Sequence, residues 1–285
     1  MTALDDHHVI PLAGVLGWPA SHSLSPLLHG HWLQTLNIRG HYVPLECAPQ
    51  DLSDVVPALL KTGFCGFNVT VPHKEAAFFL ADHVTDRARH MGAVNTLWME
   101  DGCLFADSTD GDGFLSSLPV NADTTTCVLL GAGGAAKSIA YTLCADAKTQ
   151  SLHIINRSRG RAESLVRDLT EICPGTAMSS ADFSGLPEAL EAASLVINST
   201  SLGMVGQDSL AVDLTPCRPH CDVYDIVYTP AKTEFLKHAE AHGLRATNGL
   251  GMLIEQARPG FARWFGAAAP QTGQEHMLLE AALKS

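Results

Sequence analysis

Lys74 ends the segment Gly66-Phe-Asn68-Val-Thr70-Val-Pro72-His73-Lys74, in which Pro72 marks the start of a helix. An ammonium group at a helix N-terminus opposes the helix dipole, so a nearby carboxylate would offset the misfit. Asp110, in Asp107-Ser108-Thr109-Asp110-Gly111, is the candidate. Beside a substrate hydroxyl, a Lys–Asp pair can carry the proton that accompanies a hydride transfer. Taken singly, Lys74 also reads as an ordinary surface residue. Asn68 and Thr70 alternate along a strand, which puts an amide and a hydroxyl on one face.

A second group suits a dinucleotide. Gly131-Ala-Gly133-Gly134-Ala135-Ala136 follows an apolar strand and opens a helix. There the first glycine makes the tight turn, the second lets backbone N–H groups approach a diphosphate, and Ala136 takes the small position against the sheet. A plain strand-to-helix turn is the alternative. Roughly 20 residues on, a carboxylate would hold the ribose 2′-OH of NAD. This chain instead has Asn156-Arg157-Ser158-Arg159-Gly160-Arg161, whose guanidinium groups and hydroxyl suit the 2′-phosphate of NADP.

A third group is Gly17-Trp-Pro19-Ala-Ser-His22-Ser23-Leu-Ser25-Pro26. Ser25 can cap the helix that Pro26 begins. With Ser23 two residues earlier, it can also bind a carboxylate.

These groups must be held by alternating strands and helices. Strands are expected at Val9 to Val15, His41 to Leu45, Gly66 to Val71 and Asn95 to Trp98, with helices near Pro26 to Leu36, Ala48 to Lys61 and Lys74 to Leu80. That is an α/β domain. From Thr125 the pattern restarts, with strands at Cys127 to Leu130, Leu152 to Ile155, Leu195 to Asn198 and Asp222 to Ile226. Helices follow the Gly-rich turn, through Leu143, and run from Arg161 to Leu169, so this half reads as a doubly wound parallel sheet. Joints are expected at Asp112 to Thr124 and at Thr247 to Gly249. Gly251 to Phe265 and Met277 to Leu283 are expected to be helical.

At 285 residues the chain is long enough for two domains. Its 46% hydrophobic and 17% charged residues describe a folded chain. The net charge of −12, without any basic run, disfavours nucleic acid and anionic membranes. No apolar run reaches the 18 or so residues that cross a bilayer, and no secretory signal is visible, so a cytoplasmic protein is expected. The eight cysteines are scattered without a CxxC pair, and Cys217, His220 and Cys221 lack regular ligand spacing; no metal is expected.

Taken in order, the motifs resemble the shikimate dehydrogenase family over nearly the whole chain. The resemblance rests on His22-Ser-x-Ser-Pro26, Asn68-Val-Thr-x-Pro-x-Lys74, Gly92-Ala-x-Asn-Thr96, Thr109-Asp-Gly-x-Gly113 and Gly131-Ala-Gly-Gly-Ala135. It continues through Asn156-Arg-Ser158, Asn198-Ser-Thr-Ser-Leu-Gly-Met204, Tyr224-Asp-Ile-Val-Tyr-x-Pro230 and Gly251-Met-Leu-x-x-Gln256. It implies NADPH-dependent reduction of 3-dehydroshikimate to shikimate, in a cleft between a substrate domain and a Rossmann domain. The C-terminal helices would return to the first domain, giving 1–112 with 248–285 and 113–247 as the two units. Carried over, Ser23 and Ser25 bind the carboxylate with Tyr228 nearby, and Asn68, Thr70, Asn95 and Gln256 bind ring hydroxyls. Lys74 and Asp110 form the catalytic pair. Gly251 and Met252 border the nicotinamide, and Asn198, Thr200 and Leu202 follow the ribose side.

Two positions depart from the family pattern: Ser108 stands where Asn is usual, and Gly30 follows His29 where Asn is common. Quinate, or both quinate and shikimate, is the close alternative substrate. A ligand-sensing or scaffolding homologue is the alternative of another class, against which both Lys74 and Asp110 are retained. Monomer and homodimer are both compatible with the sequence.

Overall fold

The computed structural model describes residues 10–145 and 148–284. The first unit contains β1 (Leu12–Gly17), α1 (Ser25–Thr35), β2 (His41–Glu46), α2 (Leu52–Lys61), β3 (Phe64–Val69) and α3 (Lys74–Phe78). It continues with β4 (His83–Val84), α4 (Asp86–Met91), β5 (Thr96–Glu100), β6 (Cys103–Asp107) and α5 (Asp110–Ser117). Its sheet has the order β2-β1-β3-β5-β6-β4. β1 pairs in parallel with β2 and β3, whereas β5 runs antiparallel to both β3 and β6.

The hairpin joining β5 to β6 was not anticipated, although its turn is written in the sequence. Asp101 and Gly102 have φ of 51° and 78°, the paired left-handed conformation that Asp-Gly favours in two-residue hairpins. The hairpin returns the chain so that Thr96 faces Asp107, which delivers Asp110 to the end of β3. The first strand begins later than expected, at Leu12, and Val9 lies outside the described residues. β3 stops at Val69 rather than Val71 because the chain turns at Thr70, whose carbonyl accepts the His73 N–H.

The second unit is β7 (Thr126–Leu130), α6 (Gly134–Ala145), β8 (Ser151–Ile155), α7 (Arg159–Ile172), β9 (Ala177–Ala181) and α8 (Leu186–Ala192). β10 (Leu195–Asn198), β11 (Asp222–Asp225), α9 (Glu234–Ala241) and β12 (Arg245–Thr247) complete it. All its strand pairs are parallel, in the order β12-β11-β10-β7-β8-β9. The order reverses between β7 and β10, and the crevice beyond the carboxyl ends of such strands is where doubly wound sheets bind ligands.

α10 (Leu250–Phe265) and α11 (Glu275–Ala282) end the chain. Leu253, Ile254, Ala257, Phe261 and Trp264 join the first unit's core with Ala13, Val15 and Trp32. Trp264 Nε1 donates to the Leu97 carbonyl at 2.9 Å, fixing α10 to β5. α5, the last element of the first unit, packs on both α10 and α6 and continues through Asp112 to Ser117, so the chain leaves the first sheet as a helix rather than as a linker. Its Phe114 packs edge-on against Tyr224 in the second unit's core, while a side chain at Gly113 would strike Gln256 on α10.

Candidate active site

Lys74 occupies the first position of α3, and Asp110 the first position of α5, where the helix dipole favours a carboxylate. Lys74 Nζ donates to Asp110 Oδ2 at 2.5 Å. Their side chains are only 16% and 6% exposed, so the attraction acts with little solvent screening. The lysine that looked misplaced at its helix terminus is therefore compensated by the expected partner.

Asn95, just ahead of β5, organises the surrounding groups. Its Nδ2 donates to Asp110 Oδ1 at 2.8 Å, Thr109 Oγ1 at 3.0 Å and Gln256 Oε1 at 3.1 Å. Its Oδ1 accepts the Thr109 N–H at 2.8 Å. Asn95 is 2% exposed, and one residue thus ties β5, α5 and α10 together. Asn68, at the end of β3, donates from Nδ2 to the Asn95 carbonyl at 3.2 Å and accepts the Tyr42 hydroxyl at 2.7 Å. Thr70 lies two residues beyond Asn68, just past the end of β3, with its methyl against Gly17.

The two serines lie at the start of α1. Ser25 does not cap that helix: Leu24 occupies the cap position without a side-chain bond, and Ser25 is the first helical residue. Ser23 Oγ instead accepts the Ser25 N–H at 3.2 Å, so any capping is done by Ser23 from one position further out. The Ser25 hydroxyl sits beside the Tyr42 hydroxyl, and Tyr228 faces Ser23 and the Leu24 backbone. Burial pushes the Tyr228 phenol above its usual range, partly offset by those contacts, so it remains a neutral donor.

On the cofactor side, Gly131 has φ +116°, and a side chain there would meet Ser199 Oγ at 2.7 Å. Gly133 faces open space, Ala135 is half-buried in the first turn of α6, and Ala136 is fully buried against the sheet. This leaves room for a diphosphate over the α6 N-terminus. Gly134 serves a different neighbour: its missing side chain would lie 3.2 Å from Lys74 Cβ. Arg157, Ser158 and Arg161 are exposed where β8 leads into α7. Among the described residues neither of those arginines makes an ion pair, whereas Arg159 is engaged by Glu163 at 2.8 Å. Asn156 donates to the Ser158 carbonyl at 2.9 Å and shapes this turn. The donor set fits an NADP 2′-phosphate.

Asn198 is completely buried. Its amide donates to Asp225 Oδ1 at 2.9 Å and the Leu202 carbonyl at 3.2 Å, and its oxygen accepts Thr200 Oγ1 at 2.7 Å. Its side chain is committed to bracing the loop after β10, including Thr200 and Leu202. Gly251 likewise meets protein, since a side chain there would lie 2.8 Å from Ser117 Cβ. Met252 is buried beside Phe114 and Tyr224 in the second unit's core.

Three contributors were not singled out in the sequence. Tyr42 links the serine loop to Asn68, but a tyrosine inside a strand reads only as a core residue. Arg87 grips Asp107 at 2.8 and 2.5 Å and also pairs with Asp112, bracketing the loop that carries Asp110. Burial alone would raise the Asp107 carboxyl, yet bonds from Arg87 and Thr85 hold it below its usual range. Asp225 is fully buried and accepts Asn198, the Val227 N–H and Thr233. Burial raises its carboxyl despite those bonds.

The model of the shikimate dehydrogenase substrate binding domain matches residues 15–97, and that of shikimate / quinate 5-dehydrogenase matches residues 116–209. A shikimate dehydrogenase (NADP(+)) from Cereibacter sphaeroides is 45% identical over 269 residues, covering 92% of this chain and 94% of the relative. A crystal structure of the Thermus thermophilus shikimate 5-dehydrogenase with NADP(H) and shikimate superposes with a TM-score of 0.83 at 31% identity, over 95% of this chain and 100% of that one. A quinate dehydrogenase from Corynebacterium glutamicum in complex with NAD gives 0.85 at 29% identity, over 95% and 99%. Likeness of fold therefore does not separate the two substrates.

Proposed function

The chain belongs to the shikimate dehydrogenase family, and from that membership we propose how its residues divide the work. The reaction is the reversible, NADP-dependent interconversion of 3-dehydroshikimate and shikimate. NADPH, when bound, supplies the hydride. Lys74 Nζ gives a proton to the substrate oxygen as the carbonyl becomes a hydroxyl, and takes it back in the reverse direction. Asp110 holds the ammonium in place and shares the proton relay. The observation that carries this reading is the 2.5 Å Lys74–Asp110 bond, anchored through Asn95 to Gln256.

Ser23, Ser25 and Tyr228 hold the substrate carboxylate by neutral hydrogen bonds, which suits a chain of net charge −12. Asn68, Thr70, Asn95 and Gln256 orient the ring hydroxyls. Gly131, Gly133, Gly134 and Ala135 form the diphosphate turn. Asn156, Arg157, Ser158 and Arg161 hold the 2′-phosphate end, and Asn198 shapes the loop with Thr200 and Leu202 along the ribose. Gly251 and Met252, at the start of α10, form the wall on the nicotinamide side. Residues 1–112 with 248–285 are the substrate domain and 113–247 the cofactor domain. The protein is read as a cytoplasmic monomer or homodimer, and its eight cysteines, all free, suit a reducing compartment. Among the described residues no helix is long and apolar enough to cross a membrane.

The 45% identity to an NADP-dependent shikimate dehydrogenase supports shikimate over quinate. Turnover of shikimate and quinate, each with NADP and NAD, tests the reading. Shikimate with NADP is expected to give the highest kcat/KM, and a higher value for quinate would overturn it.

A further inference from the structure

Resting on the reading of Lys74 and Asp110 as the proton-transfer pair, we infer that Ser138, on the cofactor helix α6, is a positioning residue for that pair. The first N–H groups of α5 need acceptors from outside the helix. The cap residue Thr109 supplies none from its side chain; its hydroxyl donates to the Gln256 carbonyl at 2.8 Å. Ser138 Oγ supplies one instead, accepting the Gly111 N–H at 2.8 Å immediately after Asp110. The same oxygen accepts the Ser108 hydroxyl at 3.1 Å. Ser138 is 0% exposed and Ser108 3%, so water cannot readily replace either bond.

The other pair member meets the same face of α6. Gly134 precedes Ser138 by four residues, and Thr142 follows by four, so all three lie along one stripe. A side chain on Gly134 would lie 3.2 and 3.4 Å from Cβ and Cδ of Lys74, and one on Gly111 would overlap Thr142 Oγ1. The stripe therefore supports the lysine stem at one end and seats the peptide after Asp110 at its middle. Outside it, Lys137 donates to Glu75 at 2.8 Å and ties α3 to α6. The helix that begins at the diphosphate turn thus sets the separation of the proton-transfer pair. The Ser108 hydroxyl, bonded to Ser138 from the strand side of Asp110, completes the device.

Ser138→Ala leaves the Gly111 N–H and the Ser108 hydroxyl without their acceptor. With shikimate and NADP, kcat is expected to fall about 10- to 100-fold through displacement of the reacting groups. KM for shikimate should stay within about 3-fold, because the groups holding carboxylate and ring are untouched. NADP binding by calorimetry should be similarly unaffected. In a Lys74→Ala background, Ser138→Ala should cost less than about 2-fold more. An equal loss in both backgrounds, or near-normal kcat for Ser138→Ala alone, would overturn the inference. A near-normal kcat for Lys74→Ala would instead sink the underlying reading of the pair. If Ser138→Ala does not fold, Ser108→Ala removes one of the two bonds; a fall of about 3-fold or more that vanishes in the Lys74→Ala background supports the same assignment, and a fall retained there refutes it.

Discussion

The substrate end and the cofactor end are built on opposite plans. Around Lys74 and Asp110 the polar groups are buried and already bonded to one another, with Asn95 alone reaching into β5, α5 and α10. Around Arg157 and Arg161 the polar groups are exposed and make no ion pair among the described residues. Reacting groups need a fixed geometry, because small displacements cost rate. A phosphate needs charge and donors, which flexible guanidinium groups supply from the surface. Substitutions at the first end should therefore disturb chemistry and folding together, and those at the second only binding.

The largest expected effect is at Lys74. Removing general acid–base help typically costs about 10²- to 10⁴-fold, so Lys74→Ala should lower kcat by that range with little change in KM. Because both groups serve one transfer, adding Asp110→Asn should be little worse than the poorer single variant. Losses that multiply in kcat measurements on the four enzymes would show two independent residues.

Asn95→Ala should be costly in a different way. It leaves Asp110 Oδ1, the Thr109 N–H and Gln256 Oε1 short of partners in a buried place. At about 1 to 3 kcal/mol for each group left unsatisfied, a stability loss of about 3 kcal/mol is expected, together with lower kcat. Urea unfolding would measure it, and an unchanged midpoint would mean that the network is looser than its geometry indicates.

Arg157→Ala tests the other plan. KM for NADP should rise about 10- to 100-fold, with NAD use much less affected and Tm unchanged, since an exposed and unpaired arginine supports no packing. Equal loss with both cofactors would remove the 2′-phosphate assignment.

The difference between the two ends also explains what could be read from the chain. The cofactor turn is local: Gly131 to Ala136 and Asn156 to Arg161 each follow a strand and carry their chemistry within a few residues. The four inner strands of the parallel sheet that presents them, β7, β8, β10 and β11, were legible from the alternating pattern, whereas the edge strands were not: β9 is a polar Ala177–Ala181 and β12 only Arg245–Thr247. The first sheet hides β4 and β6 in the same way, because β4 has two residues, β6 has five, and the Asp101-Gly102 turn that joins β5 to β6 is itself only two residues long. At the substrate end the residue types were visible, but their partners are remote. Asn95 meets Gln256 across 161 positions, and Tyr42 meets Asn68 across 26, contacts that no local spacing encodes. Ser25 shows the limit from the other side, since a serine before proline satisfies the rule for a cap and the helix starts on it instead.

Acid gives the substrate end a further test, through His29. Its ring stacks on Tyr42 at 3.9 Å and contacts Trp32, and among the described residues neither nitrogen meets a partner in full hydrogen-bonding geometry. Burial lowers its pKa from 6.5 to about 3, with only a partial offset from Asn68. The folded chain therefore keeps His29 neutral while the unfolded chain takes up a proton below pH 6.5. Between about pH 6.5 and pH 3 the unfolded state binds more protons, so stability falls as pH falls, by up to about 1.4 kcal/mol per unit. At pH 5 this amounts to roughly 2 kcal/mol. His29→Phe keeps an aromatic ring and removes the titration, so its loss of stability between pH 7.5 and pH 5 should be smaller by about that amount. Urea midpoints at the two pH values decide it: parallel losses in both proteins would mean that His29 reaches a proton acceptor in the fold. Acid should therefore act on the scaffold under Tyr42 and Asn68, against which the His29 ring packs.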